Sequence, residues 1–166
     1  LLGDLKNNRM RGYLPETHPV AMVDGALVVT DLYGTFPHSP LPGAPQWRTG
    51  LFFSLGRQRP AVSALDVTDP TDPRPLWATD WTDADFHGTH AAPSLSFVPG
   101  GTEPTWAMAM TSGLSDTPVD VFLYLVDAAA GTTSRKVKLN QGTGSAGEPA
   151  FGVAGRAVLV DQDDNG

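Results

Sequence analysis

The chain of 166 residues contains no cysteine. Disulfide frameworks, thiolate zinc sites and cysteine nucleophiles are therefore excluded. The redox compartment stays open, because a thiol-free chain suits either side of a membrane. Basic residues are scarce: 11 Lys and Arg stand against 18 Asp and Glu, a formal charge of −7. No basic stripe exists to neutralise phosphates, which argues against nucleic acid as a partner. No apolar run approaches the roughly 18 residues of a membrane span. Helical periodicity is nearly missing too. Only Leu1 to Met10 has room for a turn or two of helix, and Gly12 and Pro15 close it.

Glycine and proline, at 18 and 15 residues, are abundant, and 40% of the chain is hydrophobic, enough to build a core. From Pro19 onward, short β-type runs alternate with Gly, Pro, Asp and Asn. The pattern predicts strands over Val20–Val23, Leu27–Asp31, Thr49–Leu55, Ala61–Val67, Pro75–Asp80, Ser94–Val98, Thr105–Met110, Val121–Asp127, Ser134–Leu139, Ala150–Val153 and Ala157–Val160. The stretch Phe36–Pro45 holds four prolines and reads as a surface loop. The fold class is all-β.

An internal repeat narrows the architecture. A Trp-led strand at Trp47 is followed by Ala64-Leu65-Asp66-Val67-Thr68 and Leu76-Trp77. The order recurs at Trp106, with Leu125-Val126-Asp127-Ala128, Gly131 and Val137-Lys138-Leu139. The Trp and Asp anchors recur at offsets of 59 and 61 residues. A four-strand unit repeating every 40 to 60 residues or so is the signature of propeller blades. Consecutive apolar residues in Leu51-Phe52-Phe53 and Val121–Leu125 fit strands covered on both faces. The expected layout is a linker or short helix over 1–17, a first antiparallel blade over 18–82, a second over 90–140 and the start of a third over 147–166. About two blades and a third is too little to close a ring. The chain begins at Leu1 without a secretory leader and stops after an acidic run, so it reads as a segment of a longer polypeptide.

The order His18-Pro19-Val20-Ala21-Met22-Val23-Asp24-Gly25, Asp31-Leu32-Tyr33, Trp47-Arg48-Thr49-Gly50-Leu51 and Ala64-Leu65-Asp66-Val67-Thr68-Asp69-Pro70 resembles the C-terminal propeller of the type IV pilus tip adhesins of the PilY/PilC family. Trp106, Ser112-Gly113 and Leu125-Val126-Asp127 resemble the family's next blade, so the likeness runs over roughly Leu14 to Gly166. Where the family carries a glycine-rich stretch, this chain has Gly56-Arg57-Gln58-Arg59-Pro60. The resemblance implies a non-enzymatic pilus component, exported through the periplasm to the pilus tip or outer cell surface. Its partners would be minor pilins of the tip complex and a host or abiotic surface. Its roles would be pilus assembly, attachment and motility.

Asp161, Asp163 and Asn165, followed by Gly166, place oxygen donors at alternate positions before a sharp turn, the first half of an EF-hand-like calcium loop. The same residues also suit an acidic hairpin turn. The resemblance implies calcium in the full-length protein, with a further Asp just past the chain end. His87, His90, Asp83 and Asp85 suit either a metal site or a polar inter-blade loop, and the second reading needs no third ligand. His18 and His38 stand alone. The acidic run Asp66–Pro73 reads as a turn in which Asp and Thr cap local amides. Gly142–Gly147 reads as an inter-blade turn rather than a nucleotide cradle. Trp77, Trp81 and Trp106 raise a quinoprotein-type oxidoreductase as the alternative, since Ala64-Leu65-Asp66 and Trp77 partly match that fold's docking motif. Those enzymes' vicinal disulfide is impossible here. A secreted structural propeller is the third reading. Trp106 is expected to be buried on the face shared by Met108 and Met110.

Overall fold

Short alternating runs punctuated by turn residues leave the backbone one cooperative option, which is to pair neighbouring runs as antiparallel ladders. The computed structural model describes residues 25–36, 43–56, 59–89, 91–98, 105–115, 119–139, 152–153 and 155–159. The expectations for 1–17, Val20–Val23 and Gly142–Gly147 lie outside the described residues. The strands are β1 (Leu27–Gly34), β2 (Gln46–Ser54), β3 (Val62–Asp66), β4 (Arg74–Pro75), β5 (Ser94–Val98), β6 (Thr105–Thr111), β7 (Gly113–Leu114), β8 (Phe122–Asp127), β9 (Thr133–Lys138) and β10 (Gly152–Val153). Among the described residues there is no helix.

β1 to β4 form one four-stranded antiparallel sheet in chain order, and β5, β6, β8 and β9 form a second. β7 pairs with β10, which lies C-terminal to the second sheet. The two large sheets pack face to face as successive blades of a partial β-propeller. Their seam holds the main core. Leu32, Phe52, Val62, Ala64, Leu76, Trp77 and Trp81 come from the first unit, and Met108, Met110, Tyr124 and Val126 from the second. The consecutive aromatics of β2 divide between faces: Phe52 enters this seam, while Phe53 packs with Leu55 and Ala61 on the other side.

Polar contacts fix the seam's geometry. The Trp77 indole donates to the Ala128 carbonyl at 2.9 Å, and Trp81 Nε1 donates to Thr133 Oγ1 at 3.0 Å. Gly131 lies under the Trp77 ring with φ of 69°, and a Cβ there would stand 2.7 Å from ring carbons. Asp127 shapes the turn by accepting from the Ala129 and Ala130 amides. Trp81, Phe86 and Tyr124 meet edge to face, with centroids 5.0 to 6.1 Å apart, a favoured quadrupole arrangement.

Several expectations are corrected. The run Pro75–Asp80 ladders only over Arg74–Pro75, because residues 76–79 bend so that Leu76 and Trp77 can enter the seam. Residues 157–159 are not a strand, and the two-residue β7 was not anticipated. Within the proline-rich loop, Phe36 is 2% exposed, a core residue rather than a surface one. Trp106 is half-buried, on the expected face with Met108 and Met110, and its Nε1 is enclosed without a hydrogen-bond partner among the described residues.

The two leading tryptophans are not register equivalents. Gly50 pairs with Asp66 and Ala107 pairs with Asp127, so superposing the aspartates sets Thr49, not Trp47, on Trp106. The Val67 and Ala128 amides confirm this alignment, donating to Thr49 and Trp106 carbonyls at 2.9 Å each. A two-residue shift keeps the same face, which is why the sequence repeat gives the right face at the wrong depth.

The two indoles give a matched test. Trp77→Phe loses a made hydrogen bond and strands a carbonyl, while Trp106→Phe removes an unpaired donor. Chemical denaturation should show Trp77→Phe more costly by about 1–2 kcal/mol. A second measurement concerns Gly131→Ala, which should destabilise by roughly 1–2 kcal/mol from the left-handed backbone alone, with the ring overlap adding to it.

Candidate functional site

The linker that carries the chain from the first sheet to the second, residues 76–93, contributes Trp77, Asp80, Trp81, Asp83 and Asp85 to polar contacts with residues distant in sequence. Asp83 accepts from Lys136 Nζ at 2.8 Å, from Tyr124 OH at 3.0 Å and, through the same oxygen, from the Asp85 amide at 2.9 Å. Lys136 also donates to Asp85 Oδ2 and lies 4.4 Å above the centre of the Phe122 ring. The linker is thereby stapled to β8 and β9.

The electrostatics follow from that geometry. Partial burial works to raise the Asp83 carboxyl, but the bonds from Lys136, the Asp85 amide and Tyr124 outweigh it and hold the group below the ordinary carboxylate range. Burial pushes the Tyr124 phenol up, and Asp83, as both acceptor and negative charge, adds to the shift. Desolvation opposes the charge on Lys136, yet Asp83 and Asp85 together keep its ammonium above the usual lysine value.

Beside this staple lies an open cleft of about 800 Å³, lined by Arg59, Ala61, Thr79, Asp80, Thr82, Asp83, Phe86 and His87. Its carboxylates already have partners. Asp80 binds Arg59 at 3.0 Å and also accepts from Ser63, while Asp83 belongs to the staple. His87 donates its backbone amide to the Ser112 carbonyl. Among the described residues no three His, Asp or Glu side chains converge on one point; Asp83 and Asp85 pair instead with Lys136. His90, His18 and His38 lie outside the described residues, as do Asp161, Asp163 and Asn165. Just before that acidic run, the Gly155 carbonyl accepts from Thr111 Oγ1 at 3.0 Å, tying the chain back to the second sheet.

The Asp66–Pro73 turn is built as its residue types require. Asp66 accepts from the Thr68 amide at 2.9 Å, and Asp69 accepts from both the amide and the hydroxyl of Thr71. Arg48 lies 3.3 Å from Asp66 across the sheet end.

A different feature escaped the sequence reading. β1 and β2 run past the second sheet's strands in length, at 8 and 9 residues against 5 and 7. Their extension pairs Tyr33 with Trp47, ring centroids 5.3 Å apart, at 45% and 64% exposure. Trp47 lies two residues beyond the position equivalent to Trp106, about 7 Å further along the strand. Exposed Tyr and Trp in contact are the residue types that dominate protein–protein hot spots. Counting hairpin register from Asp66 would have revealed the pair. Lys136 was also missed, because nothing local marks it as the partner of Asp83, 53 residues earlier.

No family model matches the chain. It is 32% identical over 109 residues to the type IV pilus biogenesis factor PilY1 homolog of Xylella fastidiosa, covering 66% of this chain and 8% of that protein. It is 31% identical over 125 residues to type IV pilus biogenesis factor PilY1 of Pseudomonas aeruginosa strain UCBPP-PA14, covering 75% of this chain and 10% of that protein. The crystal structure of the Pseudomonas aeruginosa PilY1 C-terminal domain matches with a TM-score of 0.57 and 29% identity, over 77% of this chain and 24% of that one. The chain thus spans about a tenth of the length of the curated relatives it matches.

The staple generates a pH prediction. Because Asp83 has a lowered folded value, its contribution is present in full above its unfolded value of about pH 4 and is lost as pH falls through the folded one. The stability gap between wild type and Asp83→Asn should therefore hold constant over about pH 5–8 and narrow below about pH 4. Urea titrations across that range provide the check.

Proposed function

The chain belongs to the PilY1 family of type IV pilus biogenesis factors, as part of its C-terminal propeller domain, and on that premise we propose that it contributes a docking rim through which the parent protein engages minor pilins at the pilus tip. The observation that carries this reading is the Tyr33–Trp47 pair. It is apolar, exposed and set on a hairpin that a rigid sheet holds in place. Rigid, exposed aromatics lose little entropy on binding and bury large areas. The acidic balance of −7 would favour a partner patch of basic character through steering. Attachment to surfaces, motility and an extracellular tip location belong to the same reading, which is non-enzymatic.

Calcium is the second element of this proposal. Asp161, Asp163 and Asn165 supply carboxylate and amide oxygens, the donors a hard cation prefers. Calcium needs about six to eight oxygens, so the shell would be completed by residues beyond Gly166. When bound, the ion would neutralise clustered carboxylates, and the chain's own residues would orient the loop.

Two experiments test these readings. In the full-length protein, Trp47→Ala should weaken co-purification of minor pilins and lower surface piliation, with a loss of roughly tenfold in affinity for a hot-spot aromatic. Its melting temperature should stay unchanged, because Trp47 is 64% exposed. Unaltered pilin capture would overturn the docking role. Calorimetric titration of calcium should give a site that Asp161→Ala abolishes, and equal affinity in both proteins would rule the loop out.

A further inference from the structure

Lys136 shows how this protein seats a cation. Its ammonium lies 4.4 Å from the centre of the Phe122 ring and 5.4 Å from that of Tyr124, while bonding the Asp83 and Asp85 carboxylates. Those two rings stand 6.2 Å apart, tilted by 43°. The exposed pair on the extended hairpin repeats that build. Tyr33 and Trp47 stand 5.3 Å apart, tilted by 49°. Period two puts Asp31 on their face, about 7 Å inward along the strand. Thr49, the register partner of Asp31, donates its hydroxyl to Asp31 Oδ1 at 2.7 Å and so orients the carboxylate. One such bond uses a fraction of the roughly four that a carboxylate can accept.

The charge around the pair is one-sided. Arg48 points to the opposite face, where it meets Asp66 and Gln46, and Arg74 is paired with Asp72. The turn that carries Asp69 is tied to the same strand end, because Thr68 Oγ1 accepts from the Thr49 amide at 2.9 Å. Bonds from Thr71 hold the Asp69 carboxyl below its ordinary value, which keeps it ionised. The second sheet shows that Asp31 departs from the repeat. Superposing Asp66 on Asp127 sets Asp31 and Thr49 on Phe97 and Trp106, an aromatic pair. Phe97 remains 40% exposed although a sheet packs on its face. Asp31 thus sits at a depth that such packing leaves open, with Tyr33 and Trp47 further out.

We propose that Tyr33, Trp47 and Asp31 form a subsite for one lysine or arginine side chain of a protein partner, its stem along the rings and its charge between the indole face and the carboxylate. The proposal rests on the docking role given above and adds the chemistry of what is docked. A partner that covers the two rings also strips water from Asp31, and a cation is what offsets that desolvation. Trp is the strongest of the aromatic rings that attract cations. A long basic side chain buries its methylenes on apolar surface while its head keeps polar contacts.

The test uses the full-length protein and a dye-labelled oligolysine peptide, with binding read by fluorescence anisotropy at physiological salt. Trp47→Ala and Asp31→Asn should each weaken binding about fivefold, the scale of a cation–π contact near the surface. Asn still accepts from Thr49, so the second variant removes charge alone. The double variant should also lose about fivefold, because one cation loses its seat once. Asp120→Asn removes an equal charge elsewhere, beside Lys138, and should leave affinity unchanged. If Asp31→Asn weakens binding no more than Asp120→Asn, diffuse charge explains it and the proposal is overturned. Losses that multiply in the double variant would overturn it too, as would equal binding of the acetylated peptide. Failure of the pilin reading is separable. Minor-pilin capture lost in Trp47→Ala but kept in Asp31→Asn sinks the cation subsite alone, whereas the expected peptide losses with unaltered pilin capture sink the pilin partner alone.

Discussion

Everything described depends on one contact: the Trp77 indole lying over Gly131 and donating to the Ala128 carbonyl. A four-stranded sheet of this size cannot bury both of its faces alone. Apolar burial brings two such sheets together but does not choose their offset, because the hydrophobic effect is non-directional. The indole supplies the direction. It needs a carbonyl at the right depth and a residue without a side chain beneath it, and the Asp127 turn provides both. With that point fixed, Met108, Met110, Tyr124 and Val126 meet Leu32, Phe52 and Val62 in one register only.

The linker then acts as a strap across the seam rather than as a passive connection. Trp81 and Phe86 pack their rings on Tyr124, and Asp83 receives both the Tyr124 hydroxyl and the Lys136 ammonium. The strap uses strong, charge-assisted bonds at the seam's wet margin and aromatic contacts within it. This division keeps ionised groups near water, where desolvation costs least. It also gives Asp83 and Asp85, acidic residues whose sequence context suits several roles, a place in a staple to Lys136.

The all-β class, most strands and the blade-like repeat were legible because period-two runs and turn residues report local structure directly. Ser94–Val98 has the anticipated bounds, and the Asp66 and Asp69 turns make the anticipated caps. Long-range pairing was not legible. Nothing near Lys136 points to Asp83, and nothing near Phe36 says that a proline-rich loop will return an aromatic to the core. The stretch after Pro75 read as strand because its composition is apolar, yet past the Leu76 amide, which donates to the Ala64 carbonyl, the ladder lapses and the Leu76 and Trp77 side chains pack between sheets. The depth of Trp47 was misjudged because matching residue names ignores hydrogen-bond register.

One consequence concerns how such a repeat can change length. The β1–β2 hairpin reaches one pleat further than its counterpart, a difference of two residues that leaves every side chain on its original face. An odd change would invert the hairpin and bring Phe53 into the seam in place of Phe52. The second sheet shows how odd changes are absorbed: a bulge between Leu125 and Val126 takes up one residue. Insertions in these blades are therefore filtered by parity, with even ones tolerated within strands and odd ones confined to bulges and turns.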